Sequence, residues 1–278
     1  MGTIVNTNIS SIASQNALAG NQRNLDKSIT QLATGQRINS AADDAAGLAI
    51  GNKLGTQIIS LNQAVRNANH GISMLLTADG SSGGMVDMLQ RMRELAIQSA
   101  NDTNNQSDRD ALQLEFKDLQ TQISNSITNT SWNGMKLLDL GSGSSKNVNF
   151  HVGPASDDSI TLPLASLNSG DVQTALGNSA SIGTKSQATT SLGLIDKAIT
   201  QIDSERSKWG GMMNRLAYAT DNANNVSINS IASRSRIMDA DYAQATADMA
   251  RAMILNQAGS AMLTQANQQP MYVLALLS

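Results

Sequence analysis

Leu54, Ile58, Leu61, Val65, Ala68, Ile72 and Leu75 follow one another at spacings that alternate between four and three. That alternation keeps one stripe of a helix apolar for three heptads and predicts a coiled-coil seam. Leu18, Leu25 and Leu32 stand seven apart, with Ile29 between the last two. Toward the other end, Ile195, Ile202, Trp209, Leu216 and Ala223 repeat at seven, with Ile199 and Met213 between them. Met249, Ala252, Leu255, Gly259, Met262 and Ala266 extend the same kind of pattern. Each end of the chain therefore carries long amphipathic helical blocks, and each block needs a partner to bury its stripe.

Proline falls only at Pro154, Pro163 and Pro270, which leaves 1–153 and 164–269 open to long helices. Ser40-Ala-Ala-Asp43 and Ser107-Asp-Arg-Asp110 fit a capping-box pattern and predict helix starts. Asn101-Asp-Thr-Asn-Asn105 reads as the turn between a helix over 40–100 and one over 107–129. Gly80, Gly83 and Gly84 interrupt the first of these, at a helix-propensity cost of about 3 kcal/mol relative to Ala. The apolar register resumes at Met85, Met88, Met92 and Leu95, so the helix is expected to continue with a local weakness.

The centre changes period. Val148-Asn-Phe150-His-Val152 alternates, Gly153 to Asp158 is turn-forming, and Ile160-Thr-Leu162-Pro-Leu164 alternates again. This predicts a β-hairpin, with Pro163 on an edge strand. The expected fold is mainly α: an elongated helical bundle or coiled coil formed by the N- and C-terminal segments, with a small β-hairpin in the middle. The outermost blocks, about 1–37 and 238–278, have only each other to pack against. Two Ala-rich helices bury little apolar area, so they are expected to order fully only when neighbouring subunits cover them.

Composition narrows the function. Aromatics are 3% and charged residues 15%, with Asn, Gln, Ser and Thr filling the surface; such a surface suits subunit contact. Net charge is −3, with no basic stripe for nucleic acid and no polybasic cluster for lipid. No stretch has the length of a membrane span. The N-terminus, Met1-Gly-Thr-Ile-Val-Asn6, has no basic residue before Arg23, and no cleavable secretory signal is expected. There is no cysteine, which excludes disulfides and thiolate chemistry. His70 and His151, the two histidines, have no metal-ligand spacing, and no nucleotide or hydrolase motif stands in a strand–turn–helix context. Asp43-Asp44 and Asp239-Ala-Asp241 read as helix-start charges rather than a cation site. The methionines fall at helical spacing and read as core filler or adaptable interface. No cofactor, metal or catalytic residue is expected.

Five stretches carry a family resemblance. They are Arg37-Ile-Asn-Ser-Ala-Ala-Asp-Asp-Ala-Ala-Gly-Leu-Ala-Ile50, Val65-Arg-Asn-Ala-Asn69, Met88-Leu-Gln-Arg-Met-Arg-Glu-Leu-Ala-Ile-Gln98, Ser233-Arg-Ser-Arg-Ile-Met-Asp-Ala-Asp-Tyr-Ala243, and the closing segment with Gln265-Ala-Asn267 and Val273-Leu-Ala-Leu-Leu277. Together they are similar to the two ends of bacterial flagellins, over roughly residues 1–140 and 190–278. The resemblance implies a subunit that polymerises into the helical filament used for swimming, outside the cell, after export without a cleaved signal peptide through the flagellar type III apparatus. It implies an inner layer from 1–37 and 238–278, with Leu18, Leu25, Leu32, Met249, Leu255 and Met262 as filament-packing stripe. It implies a rod layer from 38–138 and 187–237, and a centre, 139–186, reduced to hairpin and loops in place of outer domains. Implied partners are further copies of the chain, an export chaperone, and cap and junction proteins. Gln90, Arg91, Leu95 and Glu115 match positions that serve subunit contact and recognition by the innate receptor TLR5. The alternatives are a hook–filament junction protein, which shares the terminal architecture, and a surface adhesion protein using the middle segment. Phe150 is that segment's one aromatic residue and supplies a poor sugar-stacking platform.

Overall fold

The computed structural model describes residues 7–141 and 144–275, with side chains up to 268. Met1–Asn6 and the last two leucines of the closing segment lie outside the described residues. The described residues form α1 (Ile9–Thr34), α2 (Ala45–Ala100), α3 (Gln106–Asn129), β1 (Ser131–Trp132), β2 (Met135–Lys136), β3 (Ser145–His151), β4 (Ser159–Ala165), α4 (Gly170–Leu176), α5 (Lys185–Met238) and α6 (Tyr242–Ala275). They are grouped in two compact units, Met1–Ile58 with Ile228–Ser278, and Ile59–Ser227. The mainly helical fold with a central hairpin is as expected.

Both expected capping boxes are displaced. α2 begins after Asp44, whose Oδ1 accepts the Gly47 amide at 2.8 Å. Asp43 instead folds its carboxylate back onto the Asn39 and Ser40 amides, at 3.2 and 3.1 Å. α3 begins two residues before the predicted box: Asn105 and Asp108 cap each other's amides at 3.0 Å. In each case several cap-capable side chains crowd one turn, and the neighbouring residue wins. α2 does continue through Gly80, Gly83 and Gly84. α6 runs on through Pro270 to Ala275, past the boundary that proline had suggested.

In the second unit, Ile59–Ser227, α2 and α5 run antiparallel. Arg206 Nε meets Asp79 Oδ1 at 2.7 Å, and Arg93 Nε meets Asp196 Oδ1 at 2.8 Å. Leu75, Met85, Leu89, Met92 and Leu95 of α2, Phe116, Ile123 and Ile127 of α3, and Ile195, Ile202, Trp209 and Leu216 of α5 form one buried core. The β3–β4 hairpin is antiparallel, with Val148 opposite Leu162 and Asn147 opposite Pro163. Leu162 and Leu164 are buried. A Cβ on Gly71 of α2 would lie 3.0 Å from the Phe150 ring and 3.1 Å from Leu216, so a bare backbone there seats the hairpin. A second, two-residue hairpin, β1–β2, turns at Asn133 and Gly134, both with positive φ. Asn-Gly is the favoured pair for such a turn, and this signal stood in the sequence unread.

In the first unit, α1 and α6 lie antiparallel, and the two junctions α1–α2 and α5–α6 clasp each other. α1 ends on Gly35 in the left-handed region, φ 70°, whose amide returns to the Gln31 carbonyl. The Arg37 amide donates to the Met238 carbonyl at 2.7 Å, and the Ala240 amide to the Gly35 carbonyl at 2.9 Å. Ile38 and Met238 are buried beneath this bridge.

Candidate functional site

α1 and α6 approach closely because the residues between them are small. Ser11 and Ser28 are buried on α1, and Ala245, Ala252 and Ala266 on α6. Neutral amides fix the register between them. Asn8 Nδ2 donates to the Ala266 carbonyl and Asn21 Nδ2 to the Ala252 carbonyl, each at 2.7 Å. Ser11 Oγ donates to Asn267 Oδ1 at 2.7 Å, and Asn256 Nδ2 to Gln22 Oε1 at 2.7 Å. Each such bond contributes about 1 kcal/mol net, so the pair is positioned more than it is stabilised.

The larger apolar side chains are left half-covered or bare. Leu18, Leu25, Leu32 and Met249 are half-buried. Leu255 and Met262 are 52% and 63% exposed, so the six-residue stripe is only partly closed by the pair. Ile9, Ile12, Ile29, Met253 and Ile254 are exposed as well. Ser14, Leu18, Leu255, Gly259 and Met262 line an apolar groove along the two helices. Contiguous apolar exposure of this kind marks an association surface.

The second predicted cluster divides. Arg91 Nε bonds Glu115 Oε1 at 2.9 Å and its Nη1 bonds Glu94 Oε2 at 3.0 Å, joining α2 to α3 at the surface. The Glu115 carboxylate first, and Glu94 after it, push the guanidinium pKa above its already high range. Gln90 is exposed beside them, but Leu95 is 1% exposed and belongs to the core. Leu95 cannot touch a partner directly; it anchors the helix turn that displays Arg91. Ile97 and Leu114 on the same two helices are exposed apolar side chains that sequence reasoning missed, because each stands off its helix's buried stripe.

Three of the four carboxylates in the acidic pairs, Asp43, Asp44 and Asp241, are held by local bonds. Asp43 pairs with Lys27 Nζ at 3.1 Å, and Asp241 Oδ1 accepts the Ala243 and Gln244 amides at the start of α6. Among the described residues, no group of three or more acidic, His or Cys side chains is placed to hold a metal. No described helix is long and apolar enough to cross a membrane.

Residues 5–142 match the bacterial flagellin N-terminal helical region, and residues 192–277 the bacterial flagellin C-terminal helical region. A flagellin of Halalkalibacterium halodurans is 40% identical over 274 residues, 99% of each chain. A flagellin of Listeria monocytogenes is 35% identical over 284 residues, again 99% of each. Among solved structures, Bacillus cereus flagellin is similar with a TM-score of 0.51 at 31% identity, covering 57% of this chain and 88% of that one. A putative flagellar hook-associated protein from Vibrio parahaemolyticus has a TM-score of 0.60 at 16% identity, covering 71% of this chain and 100% of that one, which is a likeness of fold alone. Whole-length identity and both terminal regions agree, and they do not favour the junction-protein alternative: the chain belongs to the bacterial flagellin family.

Proposed function

We propose that this flagellin polymerises through the open apolar stripe of α1 and α6. As a member of its family it is a structural subunit of the extracellular flagellar filament. The observation that carries the proposal is the exposure of Ile254, Leu255 and Met262, at 66%, 52% and 63%, along a helix that packs on α1 largely through small residues and amides. A neighbouring copy covers this stripe in the polymer. The contact is heterologous, because head-to-tail contacts that do not close on themselves build a helical polymer. Residues 1–37 with 238–278 then form the inner layer, and 38–138 with 187–237 the next layer outward. The same stripe is the surface that an export chaperone shields before assembly, and that cap and junction proteins meet at the filament's two ends. The test is sedimentation and negative-stain microscopy of Leu255→Glu/Met262→Glu against the parent after salt-induced assembly. The double variant should yield no filaments while its thermal transition is retained. Filaments at parental yield overturn the proposal.

A second reading rests on the Arg91–Glu115 pair. Its exposed position, with Arg91 shared between Glu115 and Glu94, suits recognition of the monomer by TLR5, a partner excluded once neighbouring subunits cover the face. Reporter cells exposed to purified monomer should respond, with Arg91→Ala reduced. A silent parental monomer sinks this reading.

A further inference from the structure

The seam between α2 and α5 is mainly apolar; its polar exceptions are Ser227, which bonds Asn62 Oδ1 at 3.3 Å, the buried Thr220 hydroxyl, and a layer around Ser82. Gly71 lies against Leu216, and Asp79 bonds Arg206, which sets the antiparallel register in the second unit. That register places Ala78 opposite Trp209, Met85 opposite Ile202, and between them Ser82 opposite Glu205. Ser82 and Trp209 are fully buried, and the Glu205 side chain is only 9% exposed. Glu205 Oε1 accepts Lys208 Nζ at 2.7 Å. The remaining polar atoms of the layer, Ser82 Oγ, Glu205 Oε2 and Trp209 Nε1, have no protein partner. Glu205 and Trp209 are four apart on α5 and share its buried face.

Three orphaned polar groups on facing and adjacent positions of one seam, Ser82 opposite Glu205 and Trp209 one turn away, are costly to leave dry. Their chemistry is complementary to a single water molecule. The Trp209 N–H donates to its oxygen, and its two protons go to Glu205 Oε2 and to Ser82 Oγ. That is the usual complement of about three bonds for a buried water.

We propose that Ser82, Glu205 and Trp209 form a buried hydration site, and that this wet layer keys α2 to α5. A polar layer in a heptad seam fixes register, because any slip pairs it with apolar layers. A slip of one heptad sets Glu205 against Leu75 or Leu89, where neither the carboxyl group nor Ser82 finds a partner. The site thus gives one alignment of the two longest helices and excludes its neighbours.

The experiment uses the full chain carrying Trp132→Phe, so that Trp209 is the sole indole. A water-to-indole cross-peak at the Trp209 N–H is expected by NMR in this parent. In Ser82→Leu/Glu205→Leu the peak should vanish and indole proton exchange slow by about tenfold or more, as the layer dries. Absence of the cross-peak in the parent overturns the proposal, and that measurement stands even if the double variant fails to fold. An unchanged peak in a folded double variant overturns it too. So does a high-resolution crystal structure in which Glu205 turns to bond Ser82 directly with no water between them.

Discussion

Arg37 Nη2 donates to the carbonyl of Ile237 at 2.7 Å, across 200 residues of chain. The last turn of a helix leaves carbonyls without intrahelical donors, and a cation there also meets the negative end of the helix dipole. Arg37 meets both needs of α5 from the segment that leaves α1. Its backbone amide caps Met238 alongside. Arg37→Ala should cost about 1 kcal/mol, because the side chain is exposed and solvent takes over part of its role. Hydrogen exchange is the measurement: amides at 235–242 should lose protection while those of α3 keep theirs. Equal loss in both would show that the clasp is not local.

Asp43 gives the first unit an acid-sensitive contact. The Lys27 ammonium, followed by the Asn39 amide, holds its carboxyl at about 2, below the ordinary 3.8. A carboxylate with a depressed folded pKa stabilises the fold above the unfolded value and loses that contribution as pH falls toward the folded one. The window therefore runs from near pH 4 down to about pH 2. Asp43→Asn should lower the thermal midpoint at pH 6, and the gap to the parent should close by pH 2. A gap that stays constant across this range would remove Asp43 from the linkage.

Phe116 joins α3 to the rest of the second unit and is fully buried. It belongs to the same buried core as Ile123 of α3 and Leu89 of α2. Phe116→Ala should cost roughly 3–5 kcal/mol. Denaturant titration reads it as a lowered midpoint with an unchanged slope. A cost below about 1 kcal/mol would mean that α3 packs independently of this ring.

Much of this architecture was legible because it is periodic. The alternation from Leu54 to Leu75 specifies a seam wherever it occurs, and Leu61, Ala68 and Leu75 are indeed buried. What escaped was set by distant contacts. α4 spans Gly170–Leu176, too few residues for a helical period to show. It is held by Gln201, whose Oε1 accepts the Val172 amide and whose Nε2 donates to the Ser169 carbonyl. Gln120 likewise grips the Ala175 and Ala180 carbonyls from α3. None of these glutamines announces a partner 29 to 60 residues away. The association stripe was legible as a stripe, but its division into half-covered Leu18 and bare Met262 depends on how small residues set the α1–α6 spacing.

The glycines make opposite predictions within one helix. Gly80 and Gly84 of α2 have nothing within 4 Å of where a Cβ would stand. Their effect is then purely one of backbone freedom, and Gly80→Ala and Gly84→Ala should each stabilise by about 1 kcal/mol. Gly51, in the same helix, is different. Its Cβ would lie 2.5 Å from Met238 Sδ and 2.8 Å from Met238 Cγ. Met238 is buried and is the last residue of α5, so it has little room to withdraw. Gly51→Ala should gain the same helix propensity and lose about 1–3 kcal/mol to overpacking, for a net destabilisation. Thermal midpoints of the three single variants decide the matter: two should rise and one should fall. If Gly84→Ala also falls, the flexibility of that turn serves packing that the open space around it conceals. If Gly51→Ala rises, the junction around Met238 is looser than its close contacts imply.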